Sequence, residues 1–81
     1  MTIQIRLFAI LRERTGISQT SLQLPDGATI DDASVLLSER RPSIADYLSR
    51  VAFAVNQNYS DRKTVLNDGD ELALIPPVSG G

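Results

Sequence analysis

The residues best suited to chemistry stand at the C-terminal end, in Leu74-Ile75-Pro76-Pro77-Val78-Ser79-Gly80-Gly81. A terminal Gly-Gly has no side chain to obstruct a narrow channel, and its backbone can adopt almost any φ/ψ. Its carboxylate is the one group here that another enzyme could activate. Pro76 and Pro77 cannot donate to a strand ladder and have φ fixed near −65°. The preceding strand must therefore end near Ile75, and Pro76 to Gly81 must leave as an extended arm. At roughly 3.3 Å per extended residue, six residues reach about 20 Å, far enough to enter another protein's active site. Ser-Gly-Gly alone would equally describe a frayed end or a linker scar. Against that reading, a discarded end has no need of two stiffening prolines or of an apolar Val78.

The rest of the chain offers little catalytic chemistry. It contains no cysteine and no histidine, which excludes disulfides, a thiol nucleophile and histidine-based catalysis or zinc binding. Asp31-Asp32 and Asp68-x-Asp70-Glu71 could be read as metal clusters, but a helix N-terminus and a turn account for them, so no metal is expected. Lys63 is the single lysine. Eight basic and ten acidic residues are interspersed, for a net charge of −2. Nucleic-acid and membrane-surface binding, which depend on clustered positive charge, are not expected. No apolar run approaches the ~18 residues that span a bilayer. Met1 to Arg6 begins a strand rather than a signal peptide, and a cytoplasmic location is expected.

The elements that must position the arm follow from periodicity. Ile3, Ile5 and Leu7 alternate with Gln4, Arg6 and Phe8, the pattern of a half-buried strand with a large aromatic on its polar face. Residues 9–16 are short and mixed in character and suit a helical turn closed by Gly16. Thr20 to Leu24 alternates again and ends at Pro25-Asp26-Gly27, so the first two strands are expected to pair as a hairpin with a long connection. Thr29 caps a helix with Asp32 at its third position, and Ile30, Ala33, Leu36 and Leu37 share one side. Arg40 and Arg41 close that helix before Pro42. Ser43 and Asp46 repeat the capping pattern ahead of Ile44, Tyr47 and Leu48. Val51 to Val55 is apolar on both faces and reads as an interior strand. Asn56-Gln57-Asn58 turns the chain into a short edge strand at Tyr59. Asn67-Asp68-Gly69-Asp70 turns it into the last strand, Glu71 to Ile75.

Short connections and crossover handedness then favour parallel pairing of the first and last strands at the centre, with the helix crossing over. That is an α+β β-grasp fold, a mixed sheet of about five strands with one main helix across it. Residues 1–75 form the domain and residues 76–81 the arm. With Leu72 and Leu74 facing the helix, Ile75 faces away, on the side of Phe8 and Tyr59.

This order, together with Phe8-Ala9-x-x-Arg12-Glu13, Ala54-Val55-Asn56-Gln57, Asp68-Gly69-Asp70-Glu71 and Pro76-Pro77-Val78-Ser79-Gly80-Gly81, resembles the small subunit of molybdopterin synthase, a ubiquitin-like sulfur carrier, over essentially the whole chain. The resemblance implies that Gly81 is adenylated by an E1-like adenylyltransferase using ATP and converted to a thiocarboxylate with sulfur from a sulfurtransferase. It implies that the large subunit then uses this sulfur to convert cyclic pyranopterin monophosphate to molybdopterin. The chemistry is consistent, because an acyl-adenylate supplies the leaving group that a bare carboxylate lacks. On this reading the chain binds no cofactor and has no catalytic residue of its own. Its partners dock on Phe8, Arg12, Tyr59 and Ile75 and take Pro76, Pro77, Val78, Ser79, Gly80 and Gly81 into their active sites, in a heterotetramer with two large subunits. Other readings are a carrier of the same fold for thiamine, cysteine or tRNA thiolation, a ubiquitin-like modifier conjugated through Gly81, and an interaction module with an inert arm.

Overall fold

Five strands alternate one apolar and one polar or small side chain, and in a computed structural model, which describes residues 1–77, they form a single sheet. The elements are β1 (Thr2–Leu7), α1 (Ala9–Thr15), β2 (Gln19–Gln23), α2 (Ile30–Arg40), a 3₁₀ turn (Pro42–Tyr47), β3 (Ala52–Val55), β4 (Asn58–Ser60) and β5 (Glu71–Ile75). The sheet order is β2-β1-β5-β3-β4. β1 pairs antiparallel with β2, placing Ile3 opposite Leu22, and parallel with β5, placing Ile5 beside Leu72 and Leu7 beside Leu74. β5 also pairs antiparallel with β3, so it is the central strand and is held on both edges. A parallel central pair with a helix crossing over it is the β-grasp arrangement.

Parity decides which face is covered. Ile3, Ile5, Leu7, Leu22, Phe53, Leu72 and Leu74 are buried in one cluster with Ile30, Ala33 and Leu37 of α2. Each of the isoleucine, leucine and phenylalanine side chains among them contributes about 1.5–3 kcal/mol by leaving water. Within α2, Leu36 is only partly buried and Ser34 takes an inward position instead. Ser34 is tolerated there because the Arg62 guanidinium reaches its hydroxyl at 3.5 Å.

The start of α2 is secured by the expected capping box. The Asp32 N–H donates to the Thr29 hydroxyl at 3.2 Å, and the Thr29 N–H donates to the Asp32 carboxylate at 2.9 Å. Two more of its unpaired N–H groups, those of Ile30 and Asp31, donate to the carbonyls of Thr64 and Arg62. Arg62 itself ties three elements together: it donates to the Leu48 carbonyl, pairs with Asp31 at 3.3 Å and lies 4.8 Å over the Phe53 ring.

One local expectation holds and one is corrected. The helical turn closed by Gly16 is there and runs for seven residues as α1, ending on Gly16 in the left-handed conformation, φ 77°. The second capping pattern does not form: the residue flanking the 3₁₀ turn is Arg41, with no side-chain cap. The Ser43 hydroxyl instead donates to the Arg14 carbonyl at 3.4 Å, tying the turn to α1.

Candidate functional site

On the uncovered face, β1 contributes Gln4 and Arg6, β5 contributes Glu71, Ala73 and Ile75, β3 contributes Ala52 and Ala54, and β4 contributes Tyr59. Register sets them side by side: Arg6 beside Ala73, Ala73 beside Ala54, Ala54 beside Tyr59, and Ile75 beside Ala52. The middle of this face is therefore floored by small side chains. A groove of about 560 Å³ runs along it, with Ala54 and Ala73 beneath and Phe8, Tyr59 and Ile75 at its sides. Tyr59 is 75% exposed and Phe8 38%. Large apolar side chains exposed around one groove mark an interaction surface.

Charge on this face is nearly self-compensated. Arg6 pairs with Glu71 at 3.5 Å and lies 5.7 Å from the Phe8 ring centre. Both partners of the ion pair are more than a third exposed, so the pair is worth well under about 1 kcal/mol. It orients the two side chains more than it stabilises the fold.

Phe8 reaches this surface because the chain breaks sharply after β1. Its backbone is extended, φ −127° and ψ 158°, while Ala9 sits at φ 49°, in the region an L-residue avoids. Holding Ala9 there costs about 1 kcal/mol. The Leu11 N–H, at 3.0 Å from the Phe8 carbonyl, helps to fix the corner. A second groove, of about 780 Å³, lies at the root of the arm between Phe8, Ile10, Tyr47, Arg50, Ile75, Pro76 and Pro77. Phe8 and Ile75 line both grooves and form the ridge between them.

Of the residues singled out from sequence, Phe8, Tyr59 and Ile75 are thus brought together, and Pro76 and Pro77 continue directly from the ridge. Arg12 is not. It is exposed on α1 and lines neither groove, and no carboxylate among the described residues lies within ion-pair distance of it. Val78, Ser79, Gly80 and Gly81 lie outside the described residues. Sequence reasoning gave no site role to Arg6, Ala54, Gln57, Glu71 and Ala73 in the first groove or to Tyr47 and Arg50 in the second, although Ala54 and Gln57 stand in a motif it singled out. Arg6 and Ala73 were available from strand parity, since they share it with Phe8 and Ile75. Tyr47 and Arg50 reach the arm only through tertiary packing, and nothing local marks them.

The aspartates of the other end have structural duties. The Asp68 carboxylate accepts the Thr2 N–H at 2.7 Å, and that of Asp70 accepts the Asn67 N–H at 2.8 Å and the Asn56 amide at 2.9 Å. Among the described residues no three metal-ligating side chains come together. What the described residues bring together is an exposed, largely apolar surface with Pro76 and Pro77 at its margin.

Comparison with known proteins bears on what that arm serves. Residues 5–81 match the ThiS family. The chain is 37% identical over 83 residues to the molybdopterin synthase sulfur carrier subunit of Chlamydomonas reinhardtii, with 100% of both chains covered. It is 38% identical over 79 residues to the subunit of the same name from Arabidopsis thaliana, covering 98% of this chain and 82% of that one. Among solved structures it is similar to SAMP1, small archaeal modifier protein 1, of Haloferax volcanii, with a TM-score of 0.90, 28% identity and 100% of both chains covered.

Proposed function

The chain belongs to the ThiS family, and from that premise we propose that it is the sulfur carrier subunit of a molybdopterin synthase. The observation that carries this reading is the rooting of the arm: the central strand β5 runs through Ile75 into Pro76-Pro77 at the ridge between two apolar grooves, and Gly80-Gly81 follows in the sequence. The full-length similarity to carrier subunits supports it.

On this reading an E1-like adenylyltransferase joins the Gly81 carboxylate to AMP from ATP, releasing pyrophosphate. Sulfur delivered by a sulfurtransferase displaces AMP and leaves a thiocarboxylate. The large subunit draws on this sulfur to build molybdopterin from cyclic pyranopterin monophosphate. The chain itself supplies position: Phe8, Tyr59 and Ile75 dock the partner, and the prolines hold the arm out so that less freedom is lost when it threads. Catalysis belongs to the partners, and the work takes place in the cytoplasm. The deciding test is the intact mass of the protein after incubation with an active adenylyltransferase, ATP and a sulfur source. Replacement of one oxygen by sulfur at Gly81 is expected. An unmodified mass beside a demonstrably active enzyme rules the carrier reading out.

The similarity to small archaeal modifier protein 1 favours a second reading, a modifier joined to amines through Gly81. Conjugates that survive thiol reductant in cell extracts, with no thiocarboxylate found, would favour it over the first.

A further inference from the structure

Past Ile75 the sheet no longer steers the chain. The last pair that β5 makes with β1 is Leu74 beside Leu7, and the last it makes with β3 is Ile75 beside Ala52. Pro76 and Pro77 have no N–H to give to either neighbour, so the ladder cannot continue through them. The direction of the arm must therefore be set by side-chain packing. Pro76 and Pro77 find that packing in the groove of about 780 Å³ that they line.

Two pieces of chain outside the sheet make its walls: Phe8, Ala9, Ile10 and Glu13, from the corner after β1 and from α1, and Tyr47 with Arg50, from the end of the 3₁₀ turn and just beyond. Both walls are fixed from behind. Leu11 is fully buried beneath α1, and Ile10 packs against the core. Tyr47 is half-buried against the same core and stands between the buried Ile44 and Leu48, whose carbonyl accepts from Arg62. The Ser43 hydroxyl, donating to the Arg14 carbonyl, ties one wall to the other. Arg50 braces the ring: its N–H donates to the Tyr47 carbonyl at 2.9 Å, and its guanidinium lies 5.5 Å from the ring centre. Among the described residues no carboxylate draws Arg50 away into an ion pair. A braced aromatic ring and a proline ring are both rigid, so packing one beside the other costs little side-chain freedom.

We infer that Tyr47 is a positioning residue for the arm, with Arg50 as its brace. Together they hold Pro76-Pro77 in this groove and so set the direction in which the arm leaves before any partner is met. What the arm is for rests on the carrier reading proposed above; how it is held does not. An arm aimed in advance gives up less freedom when a partner takes it in. The gain is in binding, so its loss appears in the concentration of carrier required and not in turnover once the carrier is bound. Neither Tyr47 nor Arg50 lines the groove on the sheet face, so the aim of the arm can be disturbed without touching that surface.

The test has two parts, both on the full chain. In the free protein, nuclear Overhauser contacts are expected between the Tyr47 ring and the ring protons of Pro76 or Pro77, weaker in Arg50→Gln. Their absence overturns the inference and leaves the carrier reading standing. In pyrophosphate exchange with an E1-like adenylyltransferase and ATP, Tyr47→Ala should raise the KM for the carrier about fivefold, with kcat within about twofold of wild type. Tyr47→Phe should keep the wild-type KM, and Arg50→Gln should raise it about twofold. A lower Tm with an unchanged KM would make Tyr47 a stability residue only and overturn the inference. If Tyr47→Ala does not fold, the exposed Arg50→Gln decides, and an unchanged KM there overturns it equally. A double variant with Pro77→Gly separates aiming from contact with the partner. Two changes acting on one arm should raise KM by less than the product of their separate effects, whereas effects that multiply would put Tyr47 against the partner and overturn the inference. Absence of exchange with the wild-type chain removes the carrier reading, and with it the role assigned to the arm.

Discussion

Asn56 offers the sharpest test of how the arm-bearing strand is held. It stands at φ 49° in the two-residue turn between β3 and β4, followed by Gln57 at φ 72°. Its side chain accepts the Glu71 N–H at 3.0 Å and donates to the Asp70 carboxylate at 2.9 Å, so one residue both turns the hairpin and anchors the start of β5. Asn56→Ala loses two exposed hydrogen bonds, each worth about 0.5–1 kcal/mol, and puts a Cβ without asparagine's tolerance into the left-handed region, about 1 kcal/mol more. The sum is about 2–3 kcal/mol, against the total of about 4–12 kcal/mol typical of a chain this size. In a domain of 60–100 residues that lowers the Tm by about 10–20 °C. Asn56→Gly keeps the backbone conformation and loses only the hydrogen bonds, so it should fall between wild type and Asn56→Ala, about 1 kcal/mol from the latter. Urea titrations of wild type and the two variants, with an unchanged m-value, measure this directly. Stability of Asn56→Ala within about 0.5 kcal/mol of wild type, or Asn56→Gly falling below Asn56→Ala, would refute the reasoning.

Thr29→Ala removes one half of the capping box and should cost about 1 kcal/mol, seen as a Tm lower by about 4–8 °C; no change would mean that the carbonyls of Thr64 and Arg62 suffice to hold the helix start. Leu74→Ala opens a cavity beneath α2 at a fully buried position and should cost about 2–5 kcal/mol in thermal or urea unfolding; a loss below about 1 kcal/mol would place Leu74 outside the core. Ala73→Arg fills the floor of the first groove, and binding of the large subunit, measured by calorimetry, should weaken tenfold or more with the Tm changed by only a few degrees; unaltered affinity removes that groove from the interface. Pro77→Gly releases about 1 kcal/mol of chain freedom before binding, so the carrier's KM in the synthase reaction should rise about fivefold, and unchanged activity at limiting carrier refutes that role.

The parts of this fold that were legible in the sequence are those set by a repeating physical rule. Period-two alternation assigned Ile3, Ile5, Leu7, Leu72 and Leu74 to the covered face, and all five are buried. The capping box at Thr29 and Asp32 is a local hydrogen-bond pattern and formed as read. Where two rules competed, the sequence was ambiguous. Ser43 and Asp46 have capping spacing, but Pro42 favours a tight turn, and tertiary contact with Arg14 claimed the serine hydroxyl. Ser34 reads as polar in any periodicity and is buried only because Arg62, distant in sequence, reaches back to it. The same limit applies at the candidate site. Phe8, Tyr59 and Ile75 were visible as large apolar residues on a face otherwise made of polar or small side chains, whereas Tyr47 and Arg50 have meaning only once the 3₁₀ turn has packed beside Pro76 and Pro77.

The distribution of small side chains follows from the same geometry. Ala73 and Ala54 lie side by side at the middle of the sheet, where a large residue would normally find cover, and their size lowers the floor between Phe8, Ile75 and Tyr59. Alanines contribute little to the stability of a strand. The compensation is on the opposite face, where Leu72 and Leu74 alternate with Ala73 along β5 and are buried against α2. One strand therefore does two jobs, with every other residue fixing the fold and the intervening ones shaping the groove. Because β5 is paired on both edges, force on the arm is shared by two ladders before it reaches the core. A partner drawing the arm inward would meet a root that does not yield, so binding energy goes into placing the terminal glycines rather than into deforming the domain.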